Sequence, residues 1–148
     1  MANYQHILIA IDFSPSCQYV LERGLTTASL HHSAISLIHV VEYLPPMDFG
    51  YEPIIVPDWY QNEQEIVTQA EKNLDKMATE HDIACERAQV LTGTPKNEIL
   101  NFAASANVDL IVIGSHGRHG IQRLLGSTAY PVIQNAECDV LSVRISED

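Results

Sequence analysis

Short runs of apolar, often β-branched residues alternate along the chain with longer stretches in which apolar residues recur every three to four positions. A continuous apolar run is typical of a strand buried on both faces, whereas the longer spacing predicts an amphipathic helix. The apolar runs predict strands at residues 6–12, 36–41, 86–91, 109–113 and 139–143.

Helix signals occupy the gaps between these runs. Ser14 and Pro15 have the residue types favoured at the N-cap and the first position of a helix. Thr94 and Pro95 form the same pair before another helix. Apolar periodicity predicts the two remaining helices over residues 62–81 and about 127–135.

Strands and helices therefore alternate along the whole chain, without an internal repeat or a linker. This alternation predicts a single α/β domain over residues 1–148, with a five-stranded parallel sheet, right-handed crossovers and helices on both faces. The segment from Glu42 to Tyr60 interrupts the alternation with four prolines and several aromatic residues. We expect no helix there. The segment is either a lid or docking arm, or a surface loop packed by its own aromatic side chains.

Composition narrows the class of protein. The formal net charge of −11 disfavours nucleic acid and anionic membranes as partners. No apolar run approaches the roughly 20 residues that span a bilayer, and the N-terminus lacks the basic start of a signal peptide. Cys17, Cys85 and Cys138 are dispersed, which favours buried thiols in a reducing compartment over a disulfide framework. We therefore expect a cytoplasmic location.

One stretch has the opposite charge balance. From Gly114 to Ala136 there is no acidic residue, while Arg118 and Arg123 give this stretch a charge of +2 and leave −13 on the rest of the chain. Such a stretch is where an anionic ligand could bind to an otherwise acidic protein.

The glycines in this stretch suggest how an anion would be bound. Gly114 and Gly117 follow a predicted buried strand, and Gly126 precedes Ser127 and Thr128 at a predicted helix start. Glycine lets the backbone approach a phosphate closely, and the free N–H groups of a helix N-terminus favour negative charge. Ligands of open parallel sheets bind beyond the carboxyl ends of the strands. The sequence thus predicts a phosphate site made of backbone N–H groups and hydroxyls, assisted by Arg118.

These residues resemble the nucleotide loop of the universal stress protein family. The similar motifs are Ile113-Gly114-Ser115-His116-Gly117 and Leu124-Leu125-Gly126-Ser127-Thr128. The sequences ILIAIDFS, SLIHV, GTPKNEI and CDVLSV, spread over the chain, also resemble family motifs. Eight residues separate Gly117 from Gly126, one fewer than in the ATP-binding members. Pro131 is a second difference, because relatives have a polar helix former near this position of the last helix.

The resemblance implies a Rossmann-like domain of the adenine nucleotide alpha hydrolase type that binds ATP or AMP in a stress response. By that resemblance Asp12 contacts the ribose, and the adenine lies near Ala10, Val40 and Ile113. The phosphates would contact Gly114, His116, Gly117, Gly126, Ser127 and Thr128. The resemblance also implies a homodimer through the last strand, from Asp139 to Ile145. Such pairing would cover a sheet edge that otherwise invites aggregation.

Alternatives to a nucleotide-binding sensor remain open. No nucleophile and base are placed as a catalytic pair, so we expect at most slow ATP hydrolysis, with Mg²⁺ held by Asp12 or by the phosphates. His116 and His119 lack the order of a nucleotidyl-transferase motif, and no metal site is expected from them. His6 and His39 are expected to be structural. The other hypothesis is a family member without nucleotide that acts as an interaction module for an unknown protein partner.

Overall fold

The computed structural model describes residues 3–42, 58–115 and 128–145, with side chains from residue 64 onward in the second stretch. The elements follow one another as β1 (His6–Ile11), α1 (Cys17–His31), β2 (Ala34–Glu42), α2 (Asp58–Glu80), a 3-10 turn (Cys85–Arg87), β3 (Ala88–Gly93), α3 (Pro95–Ser105), β4 (Leu110–Gly114), α4 (Ala129–Asn135) and β5 (Asp139–Val143). No helix among the described residues is long and apolar enough to cross a membrane.

The strands form one parallel sheet in the order β3-β2-β1-β4-β5. The predicted five-stranded parallel α/β fold is thus confirmed. The chain builds the sheet outward from β1 to β3 and then returns to the other side of β1 with β4. The strand order consequently reverses between β1 and β4, where two neighbouring connections leave the sheet on opposite faces.

Each face of the sheet has its own apolar layer, because successive side chains of a strand point to opposite faces. On one face, Ile7, Ile9 and Ile11 of β1 pack with residues of α1 and α2. On the other face, Leu8 of β1 and Ile38 of β2 pack against α3 and α4. Helices therefore cover both faces, and the central strand β1 is buried between the two layers.

Hydrogen bonds fix the amino-terminal end of β1. The Asp109 carboxylate accepts the backbone N–H groups of Gln5 at 2.7 Å and His6 at 3.0 Å. His6 Nδ1 donates to the Ala106 carbonyl at 3.0 Å, so in the neutral ring Nε2 accepts from the Ser36 hydroxyl at 2.7 Å. These contacts give His6 the structural role that we predicted.

The start of α1 differs from our prediction. The helix begins at Cys17 with Ser16 as the N-cap residue, whereas Ser14 and Pro15 were expected in these roles. The reason is a turn before the helix: Ser14 donates its N–H to the Asp12 carboxylate at 3.0 Å and accepts the N–H of Cys17 through its carbonyl at 3.0 Å.

The expectation of no helix within the segment from Glu42 to Tyr60 was also wrong, at the end of that segment. α2 begins at Asp58, directly after Pro57, so the last proline precedes the helix rather than interrupting it. The rest of the proline-rich segment, residues 43–57, lies outside the described residues. The third strand begins at Ala88 rather than residue 86, because Cys85–Arg87 form the 3-10 turn.

The predicted start of α3 agrees with the structure, and Pro131 is accommodated near the start of α4. Thr94 is the N-cap residue of α3 and Pro95 is its first residue. In α4, Pro131 is the third residue, and the first intrahelical bond runs from the Val132 N–H to the Thr128 carbonyl at 3.2 Å. A third-position N–H has no acceptor within its helix, so the proline removes no bond there.

Candidate functional site

A pocket lies at the carboxyl edge of the sheet, where the strand order reverses between β1 and β4. Its lining residues are Ala10, Ile11, Asp12, Cys17, Val20, Val40, Pro95, Ile99, Ile113, Gly114, Thr128, Ala129 and Ile145. Reversal points of open α/β sheets are the usual ligand sites, because the neighbouring connections diverge and leave a crevice. The cavity volume is about 110 Å³, below the roughly 300 Å³ at which ligand pockets begin. The cavity that the described residues enclose is therefore smaller than a typical ligand pocket.

The predicted site residues divide between this pocket and the undescribed part of the chain. Ala10, Asp12, Val40, Ile113, Gly114 and Thr128 all line the pocket. The other predicted residues, His116, Gly117, Arg118, Gly126 and Ser127, lie outside the described residues. Every predicted site residue that the structure describes is thus brought to one place, although these residues are as much as 118 positions apart in sequence (128 − 10).

One wall of the pocket is aliphatic. Ala10, Val40 and Ile113 come from three adjacent strands, β1, β2 and β4, and they face Pro95 and Ile99 of α3. Ile99 and Ile113 are each 3% exposed. None of these side chains carries a charge or a hydrogen-bonding group, so this wall suits an apolar or aromatic ring.

Asp12 supplies the carboxylate of the pocket. It directly follows β1 and is half-buried. Its Oδ1 accepts the Ser14 N–H at 3.0 Å, while Oδ2 makes no hydrogen bond within the part of the chain that the structure describes. The structure shows a turn-stabilising bond from one oxygen, which is compatible with a ligand contact from the other.

The end of β4 is tied to the end of β5. Ser115 donates its backbone N–H to the Val143 carbonyl at 2.9 Å, and its buried hydroxyl accepts the Ile145 N–H at 3.4 Å. The pairing of these strands thus continues past Gly114, and it brings Ile145 to the pocket. On the same side, Thr128 is the N-cap residue of α4 and makes no side-chain cap bond, so a different contact remains available to its hydroxyl.

Cys17 lines the pocket from the first residue of α1, and we did not predict it there. Burial and, secondarily, the negative charge of Asp12 raise the pKa of its thiol. The thiol is therefore protonated at neutral pH and is a poor nucleophile. Residues such as Cys17 and Ile145 carry no sequence signal for a site, because only the folded chain places a helix start and a strand end beside β1.

Metal-binding chemistry finds no support in the described residues. No group of three or more His, Cys, Asp or Glu side chains within residues 3–42, 64–115 and 128–145 is arranged to hold a metal ion. His116 and His119 are outside these ranges.

A single parallel α/β domain with a crevice at the strand-order reversal defines a Rossmann-like protein. The family model described as the universal stress protein family matches residues 3–144. The chain therefore belongs to the universal stress protein family, as its motifs suggested. It is 37% identical to universal stress protein A homolog 1 of Coxiella burnetii over 145 residues, covering 98% of this chain and 99% of the relative.

Solved structures show the same fold. The protein MJ0577 has a TM-score of 0.79 at 23% identity, covering 99% of this chain and 100% of that chain. A universal stress protein solved in complex with cAMP has a TM-score of 0.58 at 20% identity, covering 96% of this chain and 98% of that chain. At these identities the likeness concerns the fold.

Proposed function

We propose that the chain binds an adenine nucleotide, ATP or AMP, in the pocket at the strand-order reversal, and that it acts in the cytoplasm as a dimeric stress sensor or adaptor. The observation that carries this proposal is the convergence of residues predicted from the family resemblance. Ala10, Val40 and Ile113 form an apolar wall on one side, and Asp12 lies at the end of β1. The cAMP complex of a fold neighbour supports an adenine ligand for this fold.

The chemistry of the pocket fits the parts of a nucleotide. The aliphatic wall accepts the base, and the Asp12 carboxylate is an acceptor for the ribose hydroxyls. The start of α4, with Thr128, and the loop that includes His116, Gly117, Arg118, Gly126 and Ser127 would bind the phosphates through backbone N–H groups, hydroxyls and one guanidinium. Mg²⁺ would accompany ATP, held by the phosphates or by Asp12.

Calorimetric titration with ATP, AMP, cAMP and GTP tests this proposal. We expect saturable binding of an adenine nucleotide and weaker binding of GTP. In Ala10→Leu, the larger side chain fills part of the pocket and forces its neighbours apart. We therefore expect the nucleotide to bind at least tenfold more weakly. Ala104→Leu, on the exposed face of α3, is the matched control and should bind as the wild type does.

Two results of that titration would contradict the proposal. One is the absence of binding at millimolar ATP or AMP, which would leave the interaction-module hypothesis. The other is equal binding by the Ala10→Leu and wild-type proteins, which would place the nucleotide elsewhere. Release of phosphate from Mg²⁺-ATP at rates typical of dedicated enzymes, about 1–1,000 s⁻¹, would contradict the non-catalytic role.

The geometry of β5 supports the proposed dimer. Because Val143 directs its carbonyl to Ser115, the backbone groups of alternate residues point toward β4. The backbone N–H and C=O groups of Val140, Ser142 and Arg144 therefore point away from the sheet. On α4, beside this edge, Tyr130 is 50% exposed and Ile133 is 41% exposed. We infer that a second copy of the chain pairs with the edge from Asp139 to Ile145, burying these groups.

A further inference from the structure

The turn after β1 contains a residue in a rare backbone conformation. Phe13, between Asp12 and Ser14, has a φ of 57°. Only glycine adopts this left-handed region freely, and a bulky residue found there signals a turn that its surroundings enforce. Conformations of this kind concentrate at functional sites, where other contacts hold them in place.

Phe13 packs against the apolar core on its face of the sheet, and one buried side chain of the neighbouring strand contacts its ring. His39 of β2 is 7% exposed, and its ring centroid lies 4.4 Å from that of Phe13, with the two planes tilted by 44°. The same imidazole donates from Nδ1 to the carbonyl of Ile11 at 2.8 Å. A carbonyl can only accept, so Nδ1 carries the hydrogen.

His39 thus contacts both sequence neighbours of Asp12, the carbonyl of Ile11 before it and the ring of Phe13 after it. The resulting turn brings the Asp12 carboxylate to the Ser14 N–H at 3.0 Å. His39 itself is not among the residues that line the pocket.

We propose that His39 is a positioning residue of the nucleotide site: it acts through Ile11 and Phe13 to hold the Asp12 carboxylate where a ribose hydroxyl binds. This inference rests on the proposed function. It also changes the role of His39, which the sequence led us to expect as a purely structural core histidine.

Two substitutions separate the hydrogen bond that His39 makes to Ile11 from its ring contact with Phe13. His39→Phe keeps a ring against Phe13 but removes the donor to Ile11. His39→Asn places an amide N–H near the position of Nδ1 and removes the ring. Phe13→Gly is a third variant, since glycine adopts the positive φ without a side chain to hold it.

The measurement compares the affinities of ATP and 2′,3′-dideoxy-ATP, which lacks both ribose hydroxyls. In the wild type, the hydroxyls should strengthen binding by about tenfold or more, as expected for hydrogen bonds to a charged group. In the Asp12→Ala variant this ratio should fall toward one. If His39 positions Asp12, the ratio should also fall at least threefold in His39→Phe and in Phe13→Gly.

A purely structural role predicts a different result. A general loosening of the core would weaken ATP and 2′,3′-dideoxy-ATP alike and leave their ratio at the wild-type value, which would overturn the inference. The double variant Asp12→Ala/His39→Phe provides a second check, because its ratio should equal that of Asp12→Ala alone. If wild-type protein binds neither nucleotide, the proposed function fails. If it binds both and only the variant ratios are unchanged, only the role of His39 fails.

Should His39→Phe fail to fold, His39→Asn keeps the inference testable. It retains the donor to the Ile11 carbonyl, so we expect a partial fall of the ratio, with the backbone N–H signal of Ser14 in an NMR spectrum moving less than in Phe13→Gly. An unchanged ratio and an unchanged Ser14 signal in both folded variants would contradict the proposal.

Discussion

Gly24 of α1 lies directly over Ile9 of β1, so closely that a β-carbon at Gly24 would be 2.5 Å from Ile9 Cδ1 and 2.7 Å from Ile9 Cγ1. Ile9 is completely buried, with an exposed fraction of 0%. The missing side chain therefore sets how closely α1 packs on the sheet, and with it the position of Cys17 and Val20 at the pocket.

We expect Gly24→Ala to destabilise the protein. The clash should cost about 1–3 kcal/mol, as is typical of overpacked cores, against a gain of about 1 kcal/mol from the better helix propensity of alanine. Urea unfolding measures the free energy of unfolding. Thr26→Ala, on the exposed side of α1, is the control for propensity and should be neutral or slightly stabilising.

The packing explanation also predicts how Gly24→Ala combines with a substitution of Ile9. In the Gly24→Ala/Ile9→Ala protein, the new methyl group would occupy part of the space left by Ile9, so the total loss should be smaller than the sum of the two single losses. Additive losses, or a Gly24→Ala protein more stable than Thr26→Ala, would show that α1 can move away from the sheet at little cost.

A second prediction concerns Asp109, whose contacts lie at the opposite end of β1. Its carboxylate accepts two backbone N–H groups, from Gln5 and His6. Asp109→Ala should lower the free energy of unfolding by about 2–4 kcal/mol, because two charge-assisted hydrogen bonds are lost. Asp109→Asn keeps one acceptor oxygen and should lose about half as much. Hydrogen exchange at the Gln5 and His6 amides should accelerate in the same order, and unchanged exchange in Asp109→Ala would contradict this role.

The fold was predicted well from the sequence because the pattern of buried apolar residues determines most of its strands and helices. The apolar run at 139–143 became β5 with the same bounds, and the Thr94–Pro95 pair began α3 as expected. The start of α1 was predicted wrongly because a turn precedes the helix, held by a local bond from Ser14 to Asp12 and by the contact of Phe13 with His39 of β2. The capping propensity of Ser14 does not reveal that its carbonyl closes a turn with the Cys17 N–H before the helix begins.

The candidate site was predictable only in part, for a related reason. Ala10, Val40 and Ile113 occupy the carboxyl ends of strands, and parallel strands bring such ends together at one edge. Cys17 and Ile145 reach the pocket through tertiary packing alone. His39 was identified as buried, but its hydrogen bond to Ile11 depends on the register of β1 and β2, which pairs these two residues.

The three cysteines should differ in reactivity. Burial is the main factor that raises the pKa of Cys17 and of Cys138, and a nearby carboxylate, Asp12 or Asp139, adds to it, whereas Cys85 is exposed. With N-ethylmaleimide at pH 7.5, followed by mass spectrometry of peptides, we expect Cys85 to react first. Because a raised pKa keeps the thiol protonated to higher pH, the rates of Cys17 and Cys138 should still rise with pH well above neutrality.

Cysteine labelling also reports on the pocket. Cys17 lines it, so a saturating adenine nucleotide should slow the labelling of Cys17 severalfold. Cys85, outside the pocket, is an internal control in the same sample and should react at an unchanged rate. Equal protection of both thiols would indicate a general stabilisation of the fold, and protection of neither would argue against nucleotide in this pocket.

Ser142 offers a selective test of the proposed dimer. Its backbone N–H points away from β4, so Ser142→Pro removes a donor from the free edge without removing a bond inside the sheet, and proline is tolerated on edge strands in this orientation. We expect Ser142→Pro to sediment as a folded monomer, with wild-type circular dichroism, while the wild type sediments as a dimer. Leu141→Pro, which removes a donor to β4, should unfold the end of the sheet instead.

The Ser142 hydroxyl is buried without a partner among the described residues. Ser142→Ala should therefore be dimeric and as stable as the wild type or slightly more so. A dimeric Ser142→Pro protein would show that the two copies associate through a different surface, and a monomeric wild type would remove the dimer from the proposed function.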